Sequence, residues 1–214
     1  AATVKQNPQI QLNLDQINEF TEKAIKNGSV YLNKAVVNIP VVVHVLYNNS
    51  TQNISDAQIM SQLTVLNNDF RKMNSDWTNT PSVYQNLVAD CEINFCLASK
   101  DPSGNAHSGI NRKSVTKTVF DAETDDAKYA STGGYNAWPA ASYLNIWVVP
   151  SIKSGLQTGI LGYAQFPGGS AATDGLVIGY QYFGTMGTAT APFNKGRTAT
   201  HEIGHWLNLY HIWG

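Results

Sequence analysis

Charge is scarce in this chain. Of its 214 residues, 14 are Lys or Arg and 15 are Asp or Glu, a charged share of 14% and a formal net charge of -1; soluble domains ordinarily carry about 25% charged residues. Without a run of basic side chains there is no electrostatic footprint for nucleic acid or an anionic membrane surface, and both are excluded as partners. Long apolar runs are missing too: nothing approaches the roughly 18 consecutive apolar residues that span a bilayer. The opening stretch AATVKQNPQI has neither an initiator Met nor the apolar segment of a secretion signal, and reads as a processed or trimmed start.

Cysteine is nearly absent. Cys91 and Cys96 lie in DCEINFCLAS, whose alternation reads as a strand. Five residues of extended chain reach roughly 16 Å, whereas the Cα atoms of a disulfide stand about 4.4 to 6.8 Å apart, so a mutual bond would need a bulge or turn. Two readings stand: buried thiols packed as small hydrophobes, or pairing with partners outside these residues.

Apolar side chains, at 43%, and aromatics, at 10%, are plentiful enough for one packed core. No repeat or linker divides the chain. LNLDQINEFTEKAIKNGS carries Ile17, Phe20, Ala24 and Ile25 on a helical period and ends at Gly28, a suitable left-handed terminator. A buried strand is predicted from Asn38 to Tyr47, with Pro40 near its start. The next helix is marked by Ser55 as N-cap, Gln58 as its capping-box partner, and Ile54 with Ile59 as a hydrophobic staple. Its apolar stripe, Ile59, Leu63, Leu66, Phe70 and Met73, must face the core.

DPSGN, residues 101–105, reads as a turn. DAETDDAKYA predicts a short helix near Asp125 with a solvated acidic face, since the alternating oxygen ligands of a calcium loop are missing. SYLNIWVVP reads as a central strand stopped by Pro150, and GILGYAQFPGG and DGLVIGYQYFG as two further strands. The order helix, strand, helix, a run of strands and a final helix predicts an α+β fold in which a twisted sheet packs against two long helices. His44, inside an apolar strand, reads as a hydrogen-bonded core side chain. His107 takes no role.

The chemistry is concentrated in HEIGHWLNLYH, residues 201–211. On a helix, residues i and i+4 share a face, so His201 and His205 can aim at one metal about 2.0 to 2.1 Å away. Glu202, one step round, is placed to reach a water rather than the metal, as a general base requires. A catalytic zinc needs a third protein ligand, and His211 serves only if the helix ends and the chain reverses. Asn208 is where it can do so, because Asn tolerates the left-handed conformation. Imidazoles suit zinc, and copper, iron and nickel as well.

At these residues the sequence resembles the metzincin zinc metallopeptidases, in particular the pappalysin family, of which ulilysin is a member. The extended zinc motif maps onto His201, Glu202, His205, Asn208 and His211, with Asn208 in place of the usual Gly. NIPVVVHVLYN, ISDAQIMSQLTVLNNDFRKMN, INFCLASKDPSGN with GINR after it, YLNIWVV, GYAQFPGG, DGLVIGYQYFG and GRTATHEIGHWL look like the family's successive blocks, in order. Residues 1 to about 35 have no such match.

The resemblance implies a metzincin-like upper subdomain: a twisted mixed sheet with a backing helix and an active-site helix. Residues 1–35 would be an N-terminal extension, helical in part, and 36–214 the upper subdomain of a catalytic domain, ending just after the third ligand. ILGYAQF would be the edge strand that pairs with an extended peptide through Gly162, Tyr163 and Ala164. The family continues into a smaller C-terminal subdomain with calcium sites and a Met-turn. Met60, Met73 and Met186 all precede the motif, so these residues are expected to be a fragment or one piece of a longer polypeptide.

The resulting expectation is a secreted zinc metalloendopeptidase acting on proteins or peptides through a zinc-activated water, with Glu202 as general base. Calcium and the missing C-terminal segment are partners by resemblance. The rival expectation is a zinc-bearing peptide-binding module, or inert fragment, that does not cut.

Overall fold

A computed structural model of the protein describes residues 8–28 and 35–211. The predicted N-terminal extension falls partly outside the described residues, as do the last three positions. The helices are α1 (Pro8–Lys26), α2 (Asp56–Phe70) and α3 (Arg197–Trp206). The strands are β1 (Val37–Tyr47), β2 (Ile93–Leu97), β3 (Ile110–Ser114), β4 (Phe120–Asp121), β5 (Leu144–Val149), β6 (Ile152–Ser154), β7 (Gln157–Thr158), β8 (Gly162–Ala164) and β9 (Leu176–Gly179).

The main sheet runs β2-β1-β5-β9-β8, with β3 also beside β1. β1 is parallel to β2, β3 and β5, and β5 to β9, while β8 alone is antiparallel, pairing Tyr163 with Val177. Strands buried on both faces read as continuous β-branched runs, and β1 and β5 do so: Val41 to Leu46 and Leu144 to Val149 are all buried. This mixed sheet with packed helices is the predicted fold class.

Helices α2 and α3 cover one face, where Val41, Val43, Val45, Ile59, Leu63, Leu66, Ile146, Ile178, Ala199 and Ile203 form the larger core. The opposite face buries Leu46, Phe120, Trp147, Val149, Ile152 and Val177. Among the described residues, no helix is long and apolar enough to cross a membrane.

Several expectations are corrected. In α1 the buried side chain is Leu14, whereas Phe20 and Ile25 are exposed, because the helix touches the body along a narrower line than its apolar period suggested. Ser55 does cap α2, its Oγ accepting from Gln58 N at 3.2 Å. The Gln58 side chain does not return to the cap, however; it turns inward to the 180–188 loop. Met73 lies beyond the end of α2 and is exposed. Both cysteines are exposed and free, so neither packs as a core thiol.

The acidic stretch is not a solvated face. Asp126 and Lys128 are buried on a short 3-10 turn; Asp126 pairs with Lys117, and Lys128 pairs with Asp125 at 2.9 Å. A second small sheet, β4-β6-β7, was not predicted. His44 is a buried core histidine as expected, its Nε2 3.0 Å from Asn145 Oδ1 and its ring stacked on Tyr135. Residues 101–105 form the expected turn, Asp101 Oδ1 accepting from the backbone of Ser103 and Asn105.

Candidate metal centre

Helix α3 lies across the sheet beside β8. Ala199 and Ile203, four apart, are buried against the core. His201 and His205 therefore emerge on the opposite, open side, and Glu202 stays between the two faces, only 8% exposed.

The helix ends where the sequence required it to. Leu207 closes it, and Asn208 takes φ +72. Asn208 N donates to the His205 carbonyl at 2.9 Å and Leu209 N to the Gly204 carbonyl at 2.8 Å, the paired bonds of a Schellman termination. The chain reverses, and His211 returns to the first two histidines.

The three Nε2 atoms of His201, His205 and His211 lie 3.0 Å from one another in every pairing. Among the described residues they form the single group of three or more His, Cys, Asp or Glu side chains able to hold a metal ion. A tetrahedral metal about 2.0 to 2.1 Å from each nitrogen would space them roughly 3.3 Å apart, so a slight opening of the triangle admits it. The protonation pattern fits too. His205 Nδ1 stands 2.8 Å from the Leu209 carbonyl, which can only accept, so this nitrogen carries the proton and the Nε2 lone pair points inward. Burial, with the two neighbouring imidazoles, pushes the His201 pKa below its ordinary value and favours the neutral ligand form.

The surroundings are apolar on one side and polar behind. Phe166 packs on His205 and Tyr210, with ring centroids 5.1 and 5.0 Å apart. Trp206 Nε1 donates to the Asp174 carboxylate at 3.2 Å, tying the end of α3 to the loop before β9. Burial raises the Glu202 carboxyl to about 7. Charge is therefore costly there unless a cation stands nearby.

The predicted substrate strand is the edge of the main sheet. Gly162, Tyr163 and Ala164 pair with β9 on one side, and no described strand pairs with the other. Tyr163 points away from the histidines, its hydroxyl donating to Asp125 Oδ1 at 3.1 Å.

Sequence reasoning missed the polar supports behind this site. Gln58, Gln62 and Asp69, spaced four and seven apart, line one face of α2; the first two bond to Phe183 and Gly196 in the segment that leads into α3, and Asp69 to Thr200 within it. Their spacing was a usable signal, since three polar residues recurred on a helix face beside the apolar stripe.

A model of the M43 peptidases, described as pregnancy-associated plasma protein-A, matches residues 126–214. An extracellular metalloprotease of Arthroderma benhamiae is 27% identical over 184 residues, covering 83% of this chain and 53% of that protein. One from Pyricularia oryzae is 29% identical over 198 residues, covering 88% and 56%. The chain spans about half the length of these curated relatives. Among solved structures, Tannerella forsythia mature mirolysin in complex with a cleaved peptide is 54% identical, with a TM-score of 0.78, covering 84% of this chain and 66% of that one. A promirolysin mutant from the same organism is 48% identical, with a TM-score of 0.79, covering 95% and 69%.

Proposed function

Because the chain belongs to the pappalysin family, the M43 metallopeptidases, we propose that it forms part of a secreted zinc metalloendopeptidase in which His201, His205 and His211 hold the metal. The observation that carries this reading is the convergence of three Nε2 atoms at 3.0 Å, with the His205 tautomer set by Leu209. A bound zinc supplies Lewis-acid activation of a water and of the scissile carbonyl.

The remaining chemistry belongs to the chain. Glu202 takes a proton from the attacking water and hands it to the leaving amine, a role suited to a carboxylate held in a largely dry pocket. β8 offers its free edge to an extended peptide, whose backbone would add to the sheet through Gly162, Tyr163 and Ala164. Mirolysin's complex with a cleaved peptide supports peptide as the substrate class. The names of the fungal relatives support an extracellular location. Residues 36–214 would form the upper part of the catalytic unit, with a C-terminal segment of the same polypeptide completing it. Calcium belongs to the family resemblance and would need oxygen ligands rather than these nitrogens.

The test is cleavage of casein by the protein. It should stop on addition of a zinc chelator, return with added zinc, and be lost in Glu202→Ala while zinc stays bound. Cleavage indifferent to chelation would contradict the proposal. Zinc and peptide binding without cleavage, in longer forms of the polypeptide too, would support a non-cutting module instead.

A further inference from the structure

Helix α3 carries its chemistry on ten residues, Arg197–Trp206, fewer than the roughly 12 to 15 a free helix needs to persist in water. Its N-cap, Gly196 at φ +69, offers no side-chain cap. The rotation and tilt of this helix must therefore be set from outside.

The buried Ala199 and Ile203 and the Trp206–Asp174 bond hold its underside and its end; helix α2 supplies the polar restraint on its first turn. Gln62 Nε2 donates to the Gly196 carbonyl at 2.9 Å, while its Oε1 accepts from Gly184 N at 2.8 Å, fixing where α3 begins. One turn of α3 is then gathered on a single atom. Asp69 Oδ2 accepts from Thr200 Oγ1 at 2.7 Å and pairs with Arg197 Nε at 2.9 Å. Arg197 also reaches Asp76 at 2.9 Å, but both those side chains are nearly half exposed, and such pairs contribute little. The Asp69 side chain is 8% exposed, and charge-assisted bonds in that setting are the stronger kind.

Positions 197 and 200 lie on one face of the helix, so an anchor shared by both resists rotation as well as translation. Thr200 immediately precedes His201. A side chain about 5 to 6 Å from a helix axis moves roughly 1 Å when the helix turns by about 10°. Metal sites tolerate only about 0.2 Å in ligand distance. His201 and His205 turn together with the helix, whereas the returning segment is held by Phe166 against Tyr210 and by Asn18 against Asn208, so a small loss of rotational restraint is enough to carry the first two imidazoles away from His211.

We infer that Asp69 is a positioning residue for the metal centre: by holding Thr200 and Arg197 on one carboxylate oxygen, it sets the rotation of α3 at which His201 and His205 meet His211. This rests on the zinc reading of the three histidines.

The experiment measures zinc Kd by competition with a chromophoric chelator, well below the melting temperature, together with thermal melting of the zinc-free forms. The proteins compared are the unmodified chain, Asp69→Asn, Thr200→Val and Thr200→Ser. Weakening of about 10- to 100-fold, the usual effect of removing a ligand's outer support, is expected in Asp69→Asn and Thr200→Val. Thr200→Ser, which keeps the hydroxyl, should bind like the unmodified chain. Lower melting temperatures with unchanged Kd in both Asp69→Asn and Thr200→Val would make Asp69 merely structural and overturn the inference. Should Asp69→Asn fail to fold, Thr200→Val decides alone. If the unmodified chain binds no zinc, the metal reading itself falls and takes this inference with it; tight binding in every variant defeats the inference only.

Discussion

The backbone of Gly162 lies directly against the side chain of Glu202. A Cβ at position 162 would stand 3.3 Å from Glu202 Cγ and 3.0 Å from the Val177 carbonyl oxygen. The edge strand and the buried carboxylate thus occupy neighbouring space that only a residue without a side chain leaves open. Gly162→Ala must shift β8 against β9, or the Glu202 side chain, by a few tenths of an ångström, an overpacking that costs about 1 to 3 kcal/mol. Peptide turnover should fall about tenfold or more while zinc Kd stays unchanged. Parallel kinetics and chelator competition check this.

Glu202→Gln keeps the shape of the side chain and removes its capacity to take a proton. Loss of a general base ordinarily costs about 100- to 10,000-fold in rate, and that loss is expected in kcat with one zinc per chain retained. Turnover near that of the unmodified protein would take Glu202 out of this role.

Asn208 sits at φ +72, where a residue other than glycine is strained by about 1 to 2 kcal/mol. Asn is among the side chains that tolerate it best, and its Nδ2 also donates to Asn18 Oδ1 at 2.9 Å. Asn208→Ala should weaken zinc binding about tenfold, whereas Asn208→Gly should bind as well as the unmodified chain. Equal Kd in the Ala variant would show that the turn does not govern delivery of His211.

Burial, partly offset by the bond to Asn145 and reinforced by the nearby His107, lowers the His44 pKa from 6.5 to about 4. Between those values the unfolded chain takes up a proton that the folded one refuses. The stabilising contribution is thus full above pH 6.5, declines as pH falls toward 4 and is flat below. At about 1.36 kcal/mol per pKa unit, some 3 kcal/mol of stability should disappear over that interval. Denaturant melts at pH 7 and pH 4.5 should show it, with a shallower slope in His44→Asn.

The site was more legible in the sequence than the scaffold behind it. The histidine spacing, the cap at Ser55 and the reversal at Asn208 are local, each set by residues a few positions apart. The partners of Gln58 and Asp69 lie 125 and 131 residues away, beyond anything periodicity registers. The INRKS strand, Ile110–Ser114, is largely polar, and β4 and β7 are two residues long, too short to alternate. Lys128 could be buried only because Asp125 and the Thr173 carbonyl receive it, an arrangement that composition could not reveal. The exposed Phe20 shows the converse error, in which a helical period was present without a surface to bury it.

The proposed centre needs three histidines acting together, and metal stoichiometry tests that most directly. Dialysed protein analysed for bound metal, unmodified and as His211→Ala, should yield one zinc per chain in the first and a marked loss in the second. Unmodified protein without zinc, or zinc held equally well after His211 is removed, would contradict it.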